Sequence, residues 1–224
     1  MRRGVLWDLD GTLVDSAELH WISWRDTLAA EGVRITYQQF LDSFGQKNDR
    51  ILPLWLGAAT PLERMQRIGE AKEAGYRRLA AQRGLTPLPG AAAWLRRLHD
   101  QGWKQAIASS APRQNVHVML RALGVDREID AIVGAEDVTA GKPDPQVFLA
   151  AAARLELTPD RCVVVEDAAV GIEAARRAGI KSIAVSRTTG LDADLVVSSL
   201  VELPDDAFDR LLQSSPQEER SGRE

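Results

Sequence analysis

Cysteine is almost missing from this chain. Cys162 is the only one in 224 residues, so no disulfide can form within it. It sits in the apolar run CVVVE, which makes it a small core residue rather than a nucleophile. Long apolar runs are missing too; none approaches the ~20 residues needed to cross a bilayer. Arg2 and Arg3 look like the start of a secretory leader, but Asp8 and Asp10 cut the apolar stretch behind them. A cytoplasmic address is therefore expected. Excess positive charge is also lacking. The 28 basic side chains are outnumbered by 32 acidic ones, for a net charge of −4. Neither nucleic acid nor an anionic membrane is an expected partner. No internal repeat or low-complexity tract is visible. What remains is an ordinary globular composition, 45% hydrophobic and 27% charged, long enough for a core domain with a smaller insert.

The texture of the chain changes twice. Residues 3–9, RGVLWDL, read as a buried strand closed by Gly11. Helical spacing then runs from Asp15 to about Arg83, with breaks at EGV, FGQKN and GAATP. Trp21, Trp24 and Leu28 recur at i, i+3 and i+7, as cap packing would require. The Pro/Gly-rich GLTPLPG at 84–90 reads as a linker. After it, apolar strands (KQAIAS, DAIVG, CVVVE, KSIAVS) alternate with helices, three of them closed by Gly102, Gly124 and Gly179. ADLVVSS reads as an edge strand and PDDAFDRLLQ as a last short helix. Such alternation predicts an α/β fold, a Rossmann-like doubly wound parallel sheet. The expected division is a core of 1–15 and 85–212, an inserted all-helical cap of 16–84, and a disordered tail of 213–224.

Ligands in such sheets bind beyond the carboxyl ends of the strands. The first strand ends in Asp8-Leu9-Asp10-Gly11, the second in Ser109-Ser110 and the fourth in Glu166-Asp167. The third leads through AEDVTA to Gly141-Lys142-Pro143. Parallel strands bring these ends to one edge. Crowded carboxylates repel unless a positive group sits among them, and Mg²⁺, which prefers oxygen ligands, fits Asp8, Asp10, Glu166 and Asp167. Lys142, Ser109 and backbone amides freed by Gly11 would hold an oxyanion. A phosphoryl group uses all of these together. Asp8, at the strand tip, is the better nucleophile. Asp10, two residues on, is placed to give a proton to the leaving oxygen and later take one from water.

DLDGTLVDS, ASS, GKPDP and VVEDAAVGIEAARRAG resemble, in order and spacing, the four motifs of the haloacid dehalogenase superfamily over roughly residues 4–203. The resemblance implies a helical cap, Mg²⁺ and an aspartyl-phosphate intermediate. By motif match it implies Asp8 as nucleophile and Asp10 as acid/base. Ser109 and Lys142 would hold phosphate, and Glu166 and Asp167 the metal. Trp7 stands where most relatives carry Phe or another apolar residue. The second aspartate, lacking in the dehalogenases that named the superfamily, sets carbon–halogen cleavage aside.

Cap shape and His20 bring the chain nearest the β-phosphoglucomutase-like branch. The expected activity is Mg²⁺-dependent hydrolysis of small phosphorylated metabolites, sugar phosphates foremost. The alternative is a mutase interconverting β-glucose 1-phosphate and glucose 6-phosphate, and a non-catalytic phosphometabolite binder is a third reading. His20, Ser110, Gly45, Arg50 and Lys72 are candidate substrate contacts. For Arg50 and Lys72 the plainer reading is a solvated helix face. The mutase arginine that grips a second phosphate has no counterpart in register after Gly45; Lys47 or Arg50 would have to substitute. His99 and His117 read as helix-surface residues. A monomer or weak homo-oligomer is expected.

Overall fold

In the computed structural model, residues 2–186 and 190–213 are described. The first strand, β1 (Gly4–Trp7), is shorter than its apolar run and buried throughout. Leu9 stays fully buried beyond it, but the chain is already turning. A two-residue strand β2 (Val14–Asp15) follows, and then four helices: α1 (Ala17–Ala30), α2 (Tyr37–Ser43), α3 (Asn48–Leu56) and α4 (Leu62–Arg83). Thr36 caps α2 by accepting from the Gln39 amide while the Gln39 side chain accepts from the Thr36 amide. The chain then returns through β3 (Thr86–Pro87), which pairs antiparallel with β2. The segment expected as a plain linker is thus half of a two-stranded hinge, since Leu88 also donates its amide to the Leu13 carbonyl.

The remaining elements alternate as the pattern predicts: α5 (Ala91–Asp100), β4 (Lys104–Ala108), α6 (Arg113–Leu123), β5 (Ala131–Val133), α7 (Gln146–Arg154), β6 (Cys162–Glu166), α8 (Ala169–Arg177), β7 (Lys181–Val185), β8 (Leu195–Val197) and α9 (Ala207–Gln213). Gln213 closes α9 rather than opening a tail; the rest of the expected tail, 214–224, lies outside the described residues. The sheet order is β5-β4-β1-β6-β7-β8, all pairs parallel. β1 therefore sits centrally, with the ends of β4 and β6 on either side of its own.

Both faces of the sheet are covered, as a parallel sheet requires. Strand alternation sends Val5 and Trp7 to one face, against Trp94, Leu95 and Phe208. Leu6 goes to the other, with Phe148, Val164 and Ala174. Cys162 belongs to that second core. Trp7 also brings a polar atom inside: its indole nitrogen donates to Gln105 Oε1 at 3.0 Å, and Gln105 Nε2 donates to the Leu95 and Glu128 carbonyls. The cap has its own core of Trp24, Leu28, Phe40, Ile51, Leu52 and Ile68, with Trp21 packed against it. No helix among the described residues is long and apolar enough to cross a membrane.

Candidate active site

Asp8 follows β1 directly, and its amide donates to the Val165 carbonyl at 2.9 Å, so the backbone holds it beside the end of β6. Glu166 is the last residue of β6, and Asp167 is next. One carboxylate oxygen from each of Asp8, Glu166 and Asp167 lies within 4.8 Å of the others. Lys142 reaches in from the loop after β5. Its Nζ is 2.5 Å from Asp8 Oδ1 and 2.7 Å from Glu166 Oε1, and the whole residue is buried.

Each acid is seated by specific neighbours. Glu166 Oε2 accepts from the amides of Asp167 and Ala168 at 2.5 and 2.7 Å. Asp167 Oδ1 accepts from the Thr12 hydroxyl at 3.1 Å. Two glycines make the room. A Cβ on Gly171 would lie 1.7 Å from Glu166 Oε1, and one on Gly11, where φ is +88°, would lie 2.2 Å from Asp167 Oδ2. Gly11 therefore serves Asp167. Its own amide donates to the Val14 carbonyl at 2.9 Å, so any backbone amides that its turn offers to an oxyanion are those of its neighbours.

Electrostatics follow from this crowding. Burial, together with the charges of Glu166 and Asp10, pushes Asp8 up to about 7 even though Lys142 opposes the rise. Burial and the charges of Glu166 and Asp8 likewise raise Asp167 well above the usual carboxylate range. For Lys142 burial favours the neutral amine, but the two carboxylates it touches win and hold it protonated. One ammonium against three crowded acids does not balance their charge, so without a further cation protons must make up the difference. An all-oxygen set of this kind suits a hard divalent cation.

Asp10 lies apart from those three, in the turn after β1. Its carboxylate faces the cap, where Oδ1 accepts from the Ser16 hydroxyl at 2.5 Å and meets His20 Nε2 at 2.9 Å. Burial would raise its pKa; the His20 and Ser16 contacts outweigh that and hold it below its ordinary value. It is not part of the metal-competent group, contrary to the four-carboxylate expectation. Beyond it the contacts continue. His20 Nδ1 is 2.8 Å from Lys72 Nζ, and the imidazole stacks on Tyr76 with centroids 4.0 Å apart. Lys72 is buried and bonded to Glu73 Oε1 at 2.9 Å, so the solvated-face reading fails for it. It lies on the stripe Ile68, Lys72, Tyr76, Ala80, four residues apart, which is the buried side of α4.

The other candidates are distributed around a pocket between cap and core, into which Asp10, His20, Gly45, Lys72 and Ser110 all open. Ser109 is buried, and its Oγ accepts the Ala111 amide at 3.0 Å. Arg50 is exposed and, among the described residues, reaches only the Lys142 carbonyl, at 3.4 Å. Lys47 is buried, but its ammonium goes to the Val138 carbonyl at 3.0 Å and to Asp49. The cap thus rests on the core loops, with the side chain of Lys47 against Gly141 and Gly45 near Ala168. His99 and His117 are exposed, as expected. Sequence reasoning did not single out Thr12, Asn48, Glu73 or Asn115. Of these, Glu73 could have been found from its place beside Lys72 on the α4 stripe.

The sequence model of the haloacid dehalogenase-like hydrolases matches residues 5–185. The chain belongs to this family. Relatives of this hydrolase include a β-phosphoglucomutase of Bacillus subtilis, 33% identical over 213 residues that cover 90% of this chain and 91% of the relative. Hexitol phosphatase B of Escherichia coli is 31% identical over 206 residues, 88% of this chain and 92% of the relative. Among solved structures, a β-phosphoglucomutase from Clostridium difficile superposes with a TM-score of 0.86 at 26% identity, covering 95% of this chain and 98% of that one. The chain is therefore an enzyme with the family's α/β core and inserted cap, and the acidic cluster at its strand ends could hold the metal such hydrolases generally use.

Proposed function

We propose that this hydrolase is a Mg²⁺-dependent phosphatase of small phosphorylated metabolites, sugar phosphates foremost, working through an aspartyl-phosphate on Asp8 in the cytoplasm. The observation that carries the reading is the separation of the first two aspartates. Asp8 sits among Lys142, Glu166 and Asp167, while Asp10 faces the cap pocket with His20. Two carboxylates in contrasting surroundings can take two roles.

Magnesium held by Asp8, Glu166 and Asp167 would neutralise the cluster and draw charge from the phosphoryl oxygens. Lys142 orients the Asp8 carboxylate and stays protonated to meet an incoming phosphate. Asp8 attacks phosphorus, and the bond to the leaving oxygen breaks. Asp10 supplies the proton to that oxygen. A dianionic phosphate beside Asp10 raises its pKa towards the acid form, and having given up its proton to the leaving oxygen Asp10 is the ionised base that takes one from the attacking water. Water then attacks the aspartyl-phosphate, regenerating Asp8 and releasing phosphate. Ser16 and His20 hold Asp10 in place between the steps.

A phosphosugar mutase is the second reading, favoured by the 33% identity to the Bacillus enzyme. One assay separates the two. Purified protein with Mg²⁺ is given a panel of sugar phosphates, including β-glucose 1-phosphate with a trace of the bisphosphate. Free phosphate is the expected product. Glucose 6-phosphate without phosphate release would establish the mutase instead.

A further inference from the structure

We propose that the pocket between cap and core takes an uncharged, hydroxyl-bearing leaving group, and that the buried carboxylate of Glu73 bars a second phosphate from it. The inference rests on the phosphoryl-transfer reading and narrows its substrate class to monophosphates of small neutral polyols or sugars.

The charge lining this pocket is nearly balanced. Among the described residues around it, the basic groups are His20 and Lys72, and the acids are Asp10 and Glu73. Neither base is uncommitted. His20 is placed between Asp10 and Lys72, and Lys72 is paired with Glu73. Two more cations stand close in sequence, but Lys47 is tied to the Val138 carbonyl and Arg50 lies exposed against the Lys142 loop. Of the described cations that line the pocket, none is unanswered by a carboxylate for a second dianionic phosphate to meet.

Glu73 cannot easily swing aside to release Lys72. Its Oε1 accepts from Lys72 Nζ and from Asn48 Nδ2 at 2.8 Å. Its Oε2 accepts from Asn115 Nδ2 at 2.6 Å, and Asn115 Oδ1 in turn accepts from Arg77 at 2.9 Å. Burial disfavours the charged form, but Lys72, His20 and Asn48 outweigh it and keep Glu73 ionised. Donors from α3, α4 and α6 thus surround a fixed negative charge on the pocket wall. The rest of the wall suits a neutral group. Trp24, Phe40 and Phe44 offer apolar surface to carbon faces, and Ser110 with the Asn48 amide offers hydrogen bonds to hydroxyls. The space is small, about 50 Å³, which favours a compact leaving group.

The test compares a hexose monophosphate with the bisphosphate of the same hexose. With wild-type protein and Mg²⁺, kcat/KM for the monophosphate should exceed that for the bisphosphate by at least about tenfold. Glu73→Gln should narrow that ratio about tenfold, through a lower KM for the bisphosphate; a merely structural role would depress both substrates alike. Equal or better use of the bisphosphate by the wild type would overturn the inference while leaving the phosphatase reading standing. Binding of both compounds to the Asp8→Asn protein, measured calorimetrically, needs neither turnover nor a foldable Glu73 variant. Tighter binding of the monophosphate there supports the inference even if no substrate releases phosphate, an outcome that would sink the phosphatase reading alone. Tighter binding of the bisphosphate overturns the inference whatever the assay shows.

Discussion

Two buried ionic clusters stand on either side of Asp10, and they are assembled in opposite ways. The one at the strand ends, Asp8, Lys142, Glu166 and Asp167, is placed by backbone: parallel strands, two strand-end turns and two glycines. The one under the cap, His20, Lys72, Glu73 and Asn115, is placed by the docking of helices that belong to different parts of the chain. The first has more acid than base and needs a ligand to balance it. The second is satisfied by its own members. A site with unmet charge binds and transforms; a satisfied one positions and selects.

The sharpest way to break this contrast is Asp8→Asn. If Asp8 in the strand-end cluster is the nucleophile, phosphate release should fall on the order of 10⁴-fold or more, with the circular dichroism spectrum unchanged. Activity retained within tenfold would move the chemistry elsewhere. Next in size is Lys142→Met. It leaves Asp8 and Glu166 buried without their cation, and breaking a buried pair costs roughly 3–5 kcal/mol. Protonation of Asp8 should keep the loss near the lower figure. Urea unfolding without metal would show it, and Mg²⁺ should restore part of it. A variant as stable as the wild type would mean that the acids already hold their own protons.

The same contrast explains what could be read in advance. Asp8, Asp10, Lys142, Glu166 and Asp167 each lie at the end of an apolar run or in a short Gly/Pro loop, so topology alone gathers them. Lys72 and Glu73 sit in a helix crowded with charge, where two more ions look like solvent-facing residues. Only the four-residue spacing from Ile68 through Tyr76 to Ala80 marks their face as buried. Asn115 was beyond reach, because nothing local says that α6 will meet α4. Gly11 shows the opposite case. Its permissive backbone was legible, but the close neighbour that requires it, Asp167, lies 156 residues away. Gly171, whose missing side chain admits Glu166, carried no local signal at all beyond its place in a motif.

Asn115→Ala tests the selecting cluster in isolation. Glu73 Oε2 loses its donor and Arg77 its acceptor, both at the contact between α4 and α6. A buried group left unpaired costs about 1–3 kcal/mol. Because the break lies between cap and core, KM should rise several-fold while kcat changes less. An equal fall in kcat with KM unchanged would put Asn115 in the chemistry and erase the division of labour.

The finest test uses pH, because the clusters should respond with opposite signs. Asp10 and Glu73 are depressed in the folded protein, so their contribution is present above the ordinary carboxylate range and is lost only as pH falls below it. Asp8 is raised from 3.8 to about 7, so between those values the unfolded chain has given up a proton that the folded chain still holds. Metal-free stability should therefore decline as pH rises towards and through 7, by about 1.4 kcal/mol between pH 6 and 8 for this one group. Magnesium binding requires the ionised carboxylates and should cancel that decline. The gap in melting temperature between Mg²⁺ and chelator should widen from pH 6 to pH 8. A gap independent of pH would mean that Asp8 is ionised throughout, held so by Lys142 alone, and the strand-end cluster would then be as self-sufficient as the one beneath the cap.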